Sequence, residues 1–292
     1  MYLVTGASGH LGQAVINHLL TTYKVPANKI IAASRDIGKL AALKAKGIDV
    51  RKADFEDEAG LVKAFTGAAR VLLISTDAMA PGQRLAQHQR AVAAAEKAGV
   101  DHVLYTSLHN ADTSKVSFAP DHVGTEQALA KSKLKGWTVL RNTWYFENVF
   151  YSIPQALKSG AQYSAAGKGK IAHISRDDLA RAAAAALASD KGGKNTYTLT
   201  GNHEYTTDEI AALVSSATGK ALNVVHVPFE GLLQGMIGAG VPEAMAKIFA
   251  SFDVNTAQGG LSGVSGDFKA LTGREPRKFE DWLNDNAKAL AA

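Results

Sequence analysis

Six short runs of β-branched and aliphatic residues, each followed by a stretch with helical spacing, leave this chain few architectures. The runs are Tyr2–Thr5, Lys29–Ser34, Asp49–Lys52, Val71–Ser75, His102–Thr106 and Trp137–Arg141. After the first, Leu11, Val15, Leu19 and Leu20 recur at helical intervals over Gly9–Thr22. Further on, Leu61, Val62 and Phe65 precede the stop signal Gly67, and an alanine-rich helix, Arg84–Ala98, ends at Gly99. Strands alternating with helices of this length build βαβ units, which make neighbouring strands parallel. The expected fold class is α/β, a doubly wound parallel sheet with a small C-terminal α/β region.

The first βα junction reads Val4-Thr5-Gly6-Ala7-Ser8-Gly9-His10-Leu11-Gly12. A glycine triplet between a strand and a helix has a physical meaning. Gly6 allows a tight turn, Gly9 lets a pyrophosphate approach the backbone, and Gly12 lets helix and strand pack closely. The helix N-terminus then offers free N–H groups and a partial positive charge. The chain is therefore expected to bind a dinucleotide on a Rossmann-type domain, through Gly6, Ala7, Ser8, Gly9, His10, Leu11 and Gly12. The second strand ends in Ser34-Arg35 rather than in a carboxylate. A guanidinium there suits the 2′-phosphate of NADPH, through forked, charge-assisted hydrogen bonds. Asp36 argues the other way unless it opens the next helix. Asp54 after the third strand is expected beside the adenine. Ser75 and Thr76 after the fourth, and Thr106 and Ser107 in the fifth, lie on the carboxyl edge where open α/β sheets bind ligands.

After Asn142 the rhythm breaks. Ser175-Arg-Asp-Asp178 opens a helix over Asp178–Ala188, Thr196–Thr200 is a strand, and Thr206 or Thr207 caps a further helix ending at Gly219. Leu222–Val227 is another strand, and the glycine-rich Gln258–Gly266 is a lid or a surface loop. The expected division is a dinucleotide-binding domain over 1–145, its sheet completed by segments near 171–200, and a substrate-binding region over 146–292. The chain has no cysteine, which excludes disulfides and thiolate chemistry. Its start lacks the features of a signal peptide, so the expected compartment is the cytoplasm. A net charge of +5, spread along the chain, predicts neither nucleic-acid nor membrane binding. The nine histidines have no metal-ligand spacing, so no metal is expected.

Between the fifth and sixth strands stands His122-Val-Gly-Thr-Glu126, and no tyrosine in the chain has a lysine four positions later. With Thr5–Gly12, Ser34-Arg35, Leu140-Arg-Asn-Thr-Trp-Tyr-Phe-Glu-Asn148 and Gly238-Ala-Gly-Val-Pro-Glu-Ala-Met245, this sequence resembles the NmrA-like, atypical branch of the short-chain dehydrogenase/reductase superfamily. Within it the chain is most similar to the group of type 2 NADPH:quinone oxidoreductases and triphenylmethane reductases. Standard superfamily members use a Tyr-xxx-Lys pair; here His122 and Glu126 hold those positions. The resemblance implies cofactor contacts at Gly6 to Gly12, Arg35, Ser75, Asn142, Thr143, Trp144 and Tyr145. It implies nicotinamide and substrate near Tyr145, Phe146, Asn148 and Phe150. The implied activity is hydride transfer from NADPH to quinones, or to azo or triphenylmethane dyes, which accept hydride without an activated tyrosine. Trp144, Tyr145, Phe146, Phe150 and Tyr151 would then wall a pocket for a flat acceptor. His122 and Tyr145 are the candidates for catalytic residues. His122 is a proton donor or, paired with Glu126 one helical turn on, a structural residue. The resemblance also admits a non-enzymatic regulator that senses NADP(H). A homodimer is the expected assembly.

Overall fold

The computed structural model describes residues 1–292. In the first half, strands β1 (Tyr2–Val4), β2 (Ile30–Ser34), β3 (Asp49–Lys52), β4 (Arg70–Leu73), β5 (His102–Leu108) and β6 (Gly136–Asn142) alternate with helices α1 (His10–Thr21), α2 (Ala41–Ala45), α3 (Glu58–Phe65), α4 (Gln83–Lys97) and α5 (Ala119–Lys131). The second half adds α6 (Ile153–Ser159), β7 (Ala161–Ser164), β8 (Lys170–Ile171), α7 (Arg176–Ala188), β9 (Lys194–Leu199), β10 (Tyr205–Thr206), α8 (Thr207–Thr218) and β11 (Asn223–His226). The chain ends with α9 (Phe229–Gly238), α10 (Glu243–Ala257), α11 (Asp267–Thr272) and α12 (Phe279–Ala291).

The main sheet has seven strands in the order β3-β2-β1-β4-β5-β6-β9, every pair parallel. The order reverses between β1 and β4, and a crevice opens there at the carboxyl ends. All residues of β2 and β5 are buried, as a parallel sheet covered on both faces requires. On one face α1 packs on α7, and the run of alanines in α7 keeps the two helices close. The other face is covered by α3 and α4. The late strand β9 joins β6, so the sheet is completed from the second half of the chain.

A separate apolar cluster joins Phe146, Val149, Ile153, α8 and α12. Local chemistry sets the helix starts. Ser175 accepts from the Asp178 amide, and Thr206 with Glu209 forms a complete capping box. The glycine-rich segment is tied down as a loop: Leu261 is buried, and its carbonyl accepts from the Ala172 amide at 3.1 Å. No helix is long and apolar enough to cross a membrane.

Candidate functional site

At the switch between β1 and β4, Gly6 has φ of +59°, a left-handed turn that a side chain would strain. The Gly9 amide closes the turn on the Gly6 carbonyl at 2.9 Å, and the Ala7 amide donates to Ala33 in β2 at 3.0 Å. Gly9 is the N-cap of α1 with no side chain capping it, so the first helical amides face outward unsatisfied. Gly12, the third residue of α1, lies directly under the turn. A Cβ there would stand 2.8 Å from the Gly6 carbonyl carbon and 2.9 Å from the Ala7 Cα. The loop thus presents an anion-binding surface built from main chain. His10 is exposed and Leu11 packs toward the core, so both can serve the loop only through their amides.

Ser8 and Ser34 share a hydroxyl hydrogen bond of 2.9 Å, which ties this loop to the end of β2. Arg35 follows with its side chain 72% exposed and Asp77 at 3.9 Å as its nearest acid. Asp36 is turned away. Its carboxylate accepts from the Gly38 amide at 2.9 Å and caps a 3-10 turn over Ile37–Leu40, which removes the objection that an acid follows Arg35. A cleft of about 580 Å³ runs from Gly6, Ser8 and Gly9 past Arg35 and Asp54 to Ser75 and Thr76. A neighbouring groove of about 430 Å³ includes Arg51, Lys52 and Lys63. Arg51 is committed there to Asp49 and to the carbonyls of Ala64 and Thr66, so it is no phosphate site.

The far end of the cleft is set by hydrogen bonds between strand ends. The Ile74 amide donates to Thr5 Oγ1 at 2.9 Å, the Ser75 amide to Thr106 Oγ1 at 2.9 Å, and the Thr76 amide to His88 Nε2 at 3.0 Å. Thr76 Oγ1, Asn142 Oδ1 and Thr143 Oγ1 are sealed from solvent with no partner in the protein. Such orphaned groups are uncommon, and three of the chain's twelve stand at or just past the carboxyl ends of β4 and β6. The Tyr145 hydroxyl lies 3.5 Å from Asn142 Nδ2, and burial holds its pKa above the ordinary tyrosine value. It stays protonated.

Three expectations are corrected. Phe146 is 1% exposed, stacks with Phe279 and Trp282, and belongs to the C-terminal core. Phe150 packs on the Trp282 edge, and Tyr151 is 84% exposed, because the 3-10 turn over Phe146–Tyr151 rotates them away from the cleft. Asn148 is half-buried on the same turn. Trp144 does remain in an aromatic row, but its partners come from elsewhere: Phe252 in α10 at 4.4 Å, then Phe118 at 6.1 Å from Phe252, with the Arg84 guanidinium over the Phe118 ring. Phe118, Phe252 and Arg84 carried no local sequence signal. The third correction is that His122 does not pair with Glu126. His122 Nδ1 lies 2.7 Å from the Tyr105 hydroxyl. Glu126 accepts from Ser107 at 2.6 Å and from Arg141 at 2.5 and 3.0 Å. Both positions of the usual pair are therefore occupied by groups bonded within the protein.

The NmrA-like family model matches residues 2–283. Quinone oxidoreductase 2 of Escherichia coli K12 is 40% identical over 273 residues, 94% of each chain. The crystal structure of an Escherichia coli NADPH-dependent quinone oxidoreductase, complexed with NADPH, superposes with a TM-score of 0.92. It is 38% identical, and the match covers 98% of this chain and 99% of that one. The Citrobacter sp. triphenylmethane reductase complexed with NADP(H) gives a TM-score of 0.90 at 34% identity, over 98% of this chain and 100% of that one.

Proposed function

This chain belongs to the NmrA-like family, and from that premise we propose that it is an NADPH-dependent oxidoreductase that passes a hydride directly to a quinone or a related conjugated acceptor, without flavin. The acceptor class follows the relatives named for quinone and triphenylmethane reduction, and azo dyes belong to the same chemical range. The observation that carries the reading is the cleft itself. A main-chain anion cradle at one end is joined to an exposed guanidinium, and behind Thr76 at the other end, through His88 and Tyr105, the Tyr-xxx-Lys positions hold His122 and Glu126.

NADPH fits the residues present, and when bound it supplies the hydride. The amides from Ser8 to Gly12 hold the pyrophosphate, Arg35 the 2′-phosphate, and Asp54 borders the adenine. Ser75, Thr76, Asn142 and Thr143 stand at the nicotinamide end, Ser75 and Thr76 lining the cleft there. Trp144 and Tyr145 fix the ring's far side, and Trp144 with Phe252 stacks a flat acceptor. Holding two reactants in near-attack geometry is itself a large share of the catalysis. Residues 1–145 with β9 supply the cofactor half, and the rest of 146–292 adds Phe252 to the acceptor side. The reading extends to a cytoplasmic homodimer that engages neither nucleic acid nor membrane.

Replacing Arg35 by Ala tests the cofactor assignment. Loss of a charge-assisted contact to a phosphate is worth about 1.5–3 kcal/mol, so Kd for NADPH should rise roughly 10- to 100-fold. Kd for NADH should change less than about twofold, since NADH has no 2′-phosphate for Arg35 to hold. Fluorescence titration of both nucleotides measures it, and equal losses would overturn the 2′-phosphate assignment.

A further inference from the structure

A closed network of hydrogen bonds behind the cleft leaves one side chain no choice of tautomer. The Thr76 main-chain N–H can only donate, so His88 Nε2 must accept it and carries no proton. The proton of His88 therefore sits on Nδ1, which faces Thr125 Oγ1 at 3.0 Å and the Tyr105 hydroxyl at 3.2 Å. Thr125 gives its own proton to the Asp121 carbonyl at 2.7 Å, so it accepts from His88. The Tyr105 proton cannot point at the protonated His88 Nδ1, and its nearest acceptor is His122 Nδ1 at 2.7 Å. His122 must then carry its proton on Nε2. That atom makes no hydrogen bond within the protein, and it is not among the sealed, unpartnered ones. The His122 ring lies 5.9 Å from Phe118, at the end of the aromatic row that starts at Trp144.

We propose that His122, locked by Tyr105 as the neutral Nε2–H tautomer, donates a hydrogen bond to the acceptor's carbonyl oxygen and stabilises the negative charge that hydride transfer leaves there. The proposal rests on the reductase reading above. A hydride enters the quinone from reduced nicotinamide, which is oxidised. The hydride bonds to one quinone oxygen and leaves the other as a phenolate, which water then protonates, releasing hydroxide. Tyr105 and His88 are positioning residues in this scheme. The groups facing His122 are Arg84 and His88 from α4, Tyr105 from β5, and Asp121, Thr125 and Phe118 beside it. Glu126 on its own helix is neutralised by Arg141. Burial and the Arg84 charge hold the imidazole pKa at about 3, so the donor is uncharged throughout the physiological range.

Nitrogen-15 spectra of histidine-labelled protein, with no cofactor added, should show His122 protonated at Nε2 and bare at Nδ1. Tyr105→Phe should mix the two tautomers. With saturating NADPH and a benzoquinone, His122→Phe should lower kcat about 100-fold, the scale of a lost oxyanion donor, while Kd for NADPH stays unchanged. His122→Gln, which keeps an N–H, should recover most of the rate. The wild-type kcat should be flat between about pH 5 and 8. Wild-type kcat in His122→Phe, an Nδ1–H tautomer, or a rate that falls as pH rises through the ordinary histidine pKa would each overturn the proposal. If His122→Phe folds poorly, Tyr105→Phe must by itself lower kcat at unchanged NADPH affinity. A wild-type protein that binds NADPH and reduces no acceptor would instead refute the reductase reading, and the tautomer spectrum would still be readable.

Discussion

Gly12→Ala is expected to lose NADPH binding by at least about 100-fold. The added carbon meets main chain on three sides: the Gly6 carbonyl oxygen, its carbon at 2.8 Å and the Ala7 Cα at 2.9 Å. Main chain cannot swing aside as a side chain can, so the turn must move away from the helix. Overpacking of this kind costs about 1–3 kcal/mol in stability. The larger penalty falls on the ligand, because the same shift displaces the amides that hold the pyrophosphate and the Ser8 to Ser34 link that aims Arg35. Gly9→Ala is the internal control, since its Cβ meets only the Gly6 oxygen, at 3.3 Å. Its loss should be several-fold smaller. Titration with NADPH and a thermal melt of each variant separate the two effects; wild-type affinity in Gly12→Ala would mean the phosphates lie elsewhere.

The second large effect is acid lability. His88 and His122 are held at pKa values of about 3, and His173 at about 4, in each case first by burial. The unfolded chain protonates these residues near 6.5, whereas the folded chain resists until the lower values. The unfolded state therefore binds more protons through this window. The stabilisation is complete above pH 6.5 and is lost as pH falls from there toward 3. At pH 5 each buried histidine costs about 2 kcal/mol, which makes about 6 kcal/mol for three, against a total stability of about 5–15 kcal/mol. Urea melts at pH 7.5 and 5.0 should differ by a loss of this order that begins just below pH 6.5. A midpoint unchanged down to pH 5 would mean that these imidazoles are not buried neutral.

The cofactor half of the fold was legible because its signals are local. A parallel sheet covered on both faces reads as unbroken apolar runs, and the geometry of Gly6 and Gly12 concerns neighbours within a single turn. The acceptor half was not legible, because its contacts join distant parts of the chain. Phe146 and Phe150 follow Tyr145 directly and fit an acceptor wall on paper. One 3-10 turn sends them into the core of α12 instead, against Phe279 and Trp282. The aromatic that does reach Trp144 is Phe252, in a helix whose pattern offers no hint of a site. His122 and Glu126 sit one helical turn apart and suggest a pair. Tertiary structure overrides that proximity by offering Tyr105 to one and Arg141 to the other. The apparent conflict at Ser34-Arg35-Asp36 also needed three dimensions, since only the cap on Gly38 shows why Asp36 does not compete.

In the proposed reaction one cleft binds NADPH and hands its hydride straight to a conjugated acceptor. The most direct measurement is oxidation of NADPH by a benzoquinone on flavin-free protein, with NADP⁺ affinity measured on the same preparation. NADPH should be consumed one for one with quinone, faster than NADH, and faster in wild type than in Gly12→Ala. Tight binding of NADP⁺ with no oxidation of NADPH by any quinone or dye would contradict it, and would leave a dinucleotide sensor in its place.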